Sequence, residues 1–138
     1  MLIAALIAMA VPAAAQDAQL PRWMLGNWCM KNSDMHQCIR VEDAADGGLA
    51  VSVIYPDSPQ ADRVGSVGWM RIVDGRLVSH SEGAGTTYRE VSHRPGELLL
   101  ERTGGAGAPQ IRYRVRGTTL TVYFGNGKAL AQVYQLTP

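Results

Sequence analysis

Short β-prone runs, broken at close intervals by Gly, Pro, Asp and Asn, limit how this chain can fold more than any other feature. Nine can be read along it: CIRVE (38–42), LAVSVIY (49–55), VGWMRIV (67–73), RLVSHS (76–81), TTYREVSH (86–93), ELLLERT (97–103), QIRYRVR (110–116), TTLTVYF (118–124) and KALAQVYQL (128–136). The segment around Trp28 adds a tenth. Each is rich in β-branched and aromatic residues or alternates apolar with polar, which is the side-chain period of a strand. Asp74-Gly75 between RIV and RLV supplies the positive φ of a type I′ hairpin. Arg94-Pro95-Gly96 and Gly125-Asn126-Gly127 are similar signals, and GGAGAP (104–109) reads as a looser loop. No helical period of useful length follows residue 15. Consecutive hairpins with short turns make an antiparallel meander, and closing it removes the exposed edges. The expected fold is all-β: a single antiparallel up-and-down β-barrel of about 8–10 strands.

The hairpins also predict which side faces in. If Val73 pairs with Arg76, His93 with Glu97 and Thr103 with Gln110, one face collects Met70, Ile72, Leu77, Tyr88, Leu98, Leu100, Ile111, Tyr113 and Val115. That face is the core. The opposite face sets Arg89 and Arg112 beside Glu101 and Arg116 beside Glu97, favourable cross-strand pairs on a solvated wall. The same register turns Ser79, Ser81, Glu90, Ser92 and Arg102 inward beside the phenols of Tyr88 and Tyr113, with Glu90 and Arg102 on a diagonal within reach of an ion pair. Such groups must pair, lie at the rim, be turned out by a bulge, or meet a ligand, because unpaired burial of charge is expensive. Trp69 points outward in this register unless a bulge at Gly68 corrects it.

MLIAALIAMAVPAAA, residues 1–15, combines an apolar core from Leu2 to Val11 with Ala13-x-Ala15, and reads as a cleaved secretory signal. The alternative is an uncleaved anchor, although a span needs about 18 or more apolar residues. On the first reading, residues 16–138 form the β-barrel domain, periplasmic or secreted, with no membrane span after cleavage. Cys29 and Cys38 suit an oxidising compartment and are expected to form a structural disulfide. A metal site would need more ligands than His36 adds, and the C-x-x-C spacing of redox catalysis is missing.

Thirteen basic against twelve acidic side chains give a net charge of +1, so no global field draws the protein to nucleic acid. The alternating Arg112, Arg114 and Arg116 form a basic stripe, but acidic partners are expected opposite them. Ser66 sits in GSVG, which is not the G-x-S-x-G elbow of a serine hydrolase. His80 and His93 share a face about 20 Å apart along the strands, too far for one metal ion. No phosphate-binding Gly-Lys-Ser loop is present. We therefore expect no catalytic residues, no metal and no cofactor.

Leu25-Gly26-Asn27-Trp28, preceded by Trp23-Met24, resembles the Gly-x-Trp opening of calycin-type barrels, the lipocalins and fatty-acid-binding proteins. DGRLV (74–78) and PQIRYRVRGTTLTV (109–122) are similar to a family of uncharacterised bacterial exported domains of lipocalin-like kind. Two departures stand out. KALAQVYQL holds no Arg to stack on the first-strand Trp, and TGGAGA replaces the bacterial family's Asn and His-Asp-Phe stretch before PQ. The resemblance implies a barrel with one end closed by Trp28, and a possible cavity. The expected role is binding of a small apolar or amphipathic molecule inside the barrel. Met70, Ile72, Leu98, Leu100, Tyr113 and Val115 would form its wall, with Tyr88, Glu90, Arg102 and Tyr113 as the ligand-binding polar contacts. The alternative is a protein-binding module or envelope inhibitor acting through loops 56–62 or 104–109.

Overall fold

The structure is a computed structural model that describes residues 20–32, 35–57, 64–83, 85–125 and 131–138. The proposed signal, residues 1–15, lies outside them, as do most of the 56–62 loop and Asn126-Gly127 of the last turn. Ten strands are seen among the described residues: β1 (Gly26–Asn32), β2 (Met35–Asp43), β3 (Leu49–Ile54), β4 (Val64–Val73), β5 (Arg76–Ser81), β6 (Thr86–Arg94), β7 (Glu97–Gly104), β8 (Gln110–Arg116), β9 (Thr119–Phe124) and β10 (Ala131–Thr137). Each pairs antiparallel with its sequence neighbours, and β1 pairs with β10 to close the barrel. The up-and-down barrel follows from the hairpin pattern, since only closure satisfies the backbone groups of both terminal strands.

Turn chemistry sets the hairpins. Asp74 and Gly75 both hold positive φ, 51° and 78°, as a type I′ turn requires. Val73 pairs with Arg76 across that turn, and Arg94 with Glu97 across Pro95-Gly96. The expected His93–Glu97 pairing is thus off by one at the turn. A bulge between Glu90 and Ser92 absorbs the difference, so Arg89 still faces Glu101 and Tyr88 faces Arg102. The bulge turns Val91 and Ser92 to solvent and His93 inward, which removes Ser92 from the inner face and separates His93 from the outward His80.

Pairing of β7 with β8 differs from expectation by two residues, since Glu101 rather than Thr103 meets Gln110. A slip of two keeps every side chain on its face. The core prediction therefore survives it: Met70, Leu77, Tyr88, Leu98, Leu100 and Ile111 are buried, with Ile72, Tyr113 and Val115 packed against them. The slip does move the outer charge pairs, so that Arg112 and Arg114 flank Glu97 at 3.7 and 4.0 Å. Gly68 pairs regularly with Val51 and Ser81, so no bulge rescues Trp69. Trp69 stays on the outer wall, half-buried between His80 and the Arg71 guanidinium, which lies 4.2 Å from its ring centroid.

One end of the barrel is plugged. A 3-10 turn, Arg22–Met24, lies across it with Leu20 and Met24 buried, and the Trp28 indole N–H donates to the Met24 carbonyl at 2.8 Å. Arg22 ties the turn to Asp43 at the end of β2. This apolar stopper fills the lower half of the barrel. Cys29 and Cys38 face each other on β1 and β2 and form a disulfide, with His36 on β2 rather than in a loop. The disulfide fits an oxidising compartment, and no helix among the described residues is long and apolar enough to cross a membrane.

Candidate ligand-binding cavity

The upper half of the barrel is hollow because its strand ends carry smaller or polar inward residues and, among the described residues, no plug. The cavity has a volume of about 380 Å³, with an adjoining lobe of about 150 Å³ that shares Val51, Val53, Ser81, Tyr88, Ile111 and Tyr113 as walls. The larger lobe alone is room for about a dozen waters at roughly 30 Å³ each. Ile39, Val122 and Phe124 complete its apolar wall, and no charged side chain lines it among the described residues.

Its polar groups are neutral and few. Gln37 on β2 and Gln132 on β10 bracket Tyr134, whose hydroxyl accepts from Gln37 Nε2 at 3.3 Å and donates to Gln132 Oε1 at 2.7 Å. The Tyr88 hydroxyl donates to the Ala108 carbonyl at 2.9 Å. Tyr113 is different: its hydroxyl makes no hydrogen bond among the described residues, although its ring lines both lobes. Burial pushes the ionisation of all three phenols up, Tyr134 to about 12 and Tyr113 further still. The Arg102 charge partly offsets the shift at Tyr88. All three are protonated donors at neutral pH.

The mouth is half covered by a strap. β7 outruns β8, so its last residues pair with β6 alone, and the chain returns through residues 105–109. Three consecutive strap carbonyls are tied down: Ala106 accepts from the Thr86 hydroxyl at 2.6 Å, Gly107 from Arg102 Nη1, and Ala108 from Tyr88. Glycine is required here. Gly105 sits at φ +79°, and a Cβ on it would meet the Gly85 carbonyl oxygen at 2.7 Å.

Of the four residues proposed as polar contacts, Tyr88 and Tyr113 stand in the cavity wall. Arg102 is at the exposed rim, holding the strap. Glu90 lies near the plugged end, its carboxylate 3.6 Å from His93 Nδ1, while His93 Nε2 accepts from the Trp23 indole at 3.3 Å. Glu90 and Arg102 form no ion pair with each other among the described residues. Met70 lines the smaller lobe. Leu98, Leu100, Ile72 and Val115, expected in the wall, do not line it and instead pack in the core with Leu20 and Met24 of the stopper.

Sequence reasoning missed Gln37, Thr86, Gln132, Tyr134 and the strap. The first four alternate with outward residues on their strands, and that alternation was the available signal for the last strand. Compared with known proteins, the chain matches no family model, no curated protein and no solved structure.

Proposed function

We propose that this is an exported, lipocalin-like binding protein that takes a small, uncharged, partly apolar molecule into the upper half of its barrel. One observation carries the reading: a cavity of about 380 Å³ with an apolar wall, lined by Tyr113, whose hydroxyl has no hydrogen-bond partner among the described residues. The hydroxyl is therefore free to donate to a ligand acceptor, a hydrogen bond worth about 0.5–1.5 kcal/mol net. The volume falls within the usual 300–1,000 Å³ range of small-molecule pockets. Absence of a lining charge among the described residues selects against ionic ligands, whose desolvation nothing would offset. The Gly26-x-Trp28 opening, with Trp28 sealing the plugged end, supports the lipocalin-like assignment.

Native mass spectrometry of the protein purified from the exported fraction, with and without denaturation, tests the proposal. A companion titration uses N-phenyl-1-naphthylamine, a neutral apolar fluorophore. Excess mass released on denaturation, or dye uptake abolished by filling the cavity with Val53→Trp, is the expected result. A bare mass together with no dye uptake would refute it and direct attention to the loops.

A further inference from the structure

On the outer face of the β1–β2 hairpin, away from the cavity, three metal-ligand residue types converge. His36 and Cys38 are two apart on β2 and so share a face, and Cys29 is directly paired with Cys38 across the hairpin. One ligand atom from each lies within 4.8 Å of the other two. We propose that reduction of the Cys29–Cys38 disulfide converts this face into a zinc site, with both thiolates and the His36 imidazole as ligands.

The chemistry fits the donor set. Thiolate and imidazole are the ligands zinc prefers, and around a tetrahedral zinc they stand roughly 3.5–3.8 Å apart. After reduction the two sulfurs, bonded to each other in the disulfide, must separate to that spacing, while the imidazole nitrogen already lies within 4.8 Å of both. Two further contacts are those a metal site uses and a structural disulfide does not need. The Asp57 carboxylate holds His36 Nδ1 at 2.9 Å, the carboxylate–imidazole pairing that fixes a ligating ring. The Asn27 side-chain amide N–H lies 3.8 Å from Cys29 Sγ, placed to stabilise a thiolate. The two cysteines are buried, whereas the His36 side chain is 37% exposed, which leaves one side open to the ion and to a water in the fourth position.

The step balances. A dithiol reductant delivers two electrons and two protons to the protein disulfide and leaves as a disulfide itself. One zinc ion then displaces the two thiol protons.

The test uses the full chain, reduced with a water-soluble phosphine, which takes oxygen from water and leaves as the phosphine oxide. Cobalt(II) is titrated in as a spectroscopic probe, followed by zinc. The expected result is a near-ultraviolet thiolate-to-cobalt band in the reduced protein only, bleached by one equivalent of zinc. His36→Ala, which leaves the disulfide in place during folding, should weaken zinc binding at least tenfold. A reduced protein without the band overturns the proposal. So does a His36→Ala chain that binds as tightly as the native sequence, folded or unfolded by circular dichroism, because the site would then be two thiols without the barrel's geometry.

Discussion

Tyr88 and Tyr113 line the same cavity yet should respond differently to loss of a single oxygen. Tyr88→Phe removes a donor from the Ala108 carbonyl and frees one of the three ties of the strap. A net hydrogen bond is worth about 1 kcal/mol, with more lost if the carbonyl stays dry. At a urea m-value of about 2 kcal/mol/M, that lowers the midpoint by about 0.5 M. Tyr113→Phe removes a hydroxyl that has no hydrogen-bond partner among the described residues. The ligand-free protein should lose little or no stability, since no protein hydrogen bond among the described residues is broken. Binding should suffer instead: Tyr113→Phe costs the ligand its polar contact, about tenfold in affinity for 1.4 kcal/mol. Urea unfolding followed by tryptophan fluorescence reads the first quantity and dye titration the second. If Tyr113→Phe destabilised the ligand-free protein as much as Tyr88→Phe, the hydroxyl would be serving the fold, and the reasoning that assigns it to a ligand would fail.

Other expectations follow from the same geometry. Because the phenols of Tyr88, Tyr113 and Tyr134 ionise later in the folded than in the unfolded chain, their contribution to stability is fully present below about pH 10. It is lost as pH rises through the native values, about 12 for Tyr134, so denaturation midpoints should fall above pH 10 and fall less in Tyr113→Phe; equal slopes would contradict the assignment. Gly105→Ala should cost about 2 kcal/mol or more, from left-handed strain plus the backbone contact. Gly47→Ala, at φ +90° with nothing within 4 Å, should show the strain alone, and thermal melts that failed to separate the two would discount the close approach. Replacing both Cys29 and Cys38 with Ala, which opens a loop of sequence separation 9, should lower stability by about 3 kcal/mol on the chain-entropy model, read as a shift of the urea midpoint.

Strand positions and faces were legible because they rest on local chemistry. Asp74-Gly75 specifies its turn through two positive φ angles. RLVSHS and QIRYRVR, read from alternation alone, match β5 and β8 end to end. Even the two-residue error between β7 and β8 left the core side intact, since side-chain direction repeats every two residues. The His93 error shows the limit. A one-residue bulge at Val91 reverses a face, and no local preference in TTYREVSH announces it. Closing ten strands into a barrel constrains their tilt and stagger jointly, and bulges absorb the remainder.

The candidate site was less legible than the fold, and the division has a physical reason. The sequence alone determined the β meander, the apolar inner face, the turn residues and the pairing of Cys29 with Cys38, all of which depend on residues near one another in the chain or on simple periodicity. Tertiary structure alone decided which half of the barrel is filled. That depends on Leu20 and Met24 docking under strands far along the chain, with Trp28 held to the Met24 carbonyl. The same docking assigned Leu98 and Leu100 to a packed core and left Tyr113 facing a cavity. It took the overhang of β7 past β8 to turn Arg102 and Tyr88 toward the strap carbonyls. Inward-facing residues are set by period two; whether they meet protein, water or a ligand is set by what long-range packing leaves unfilled.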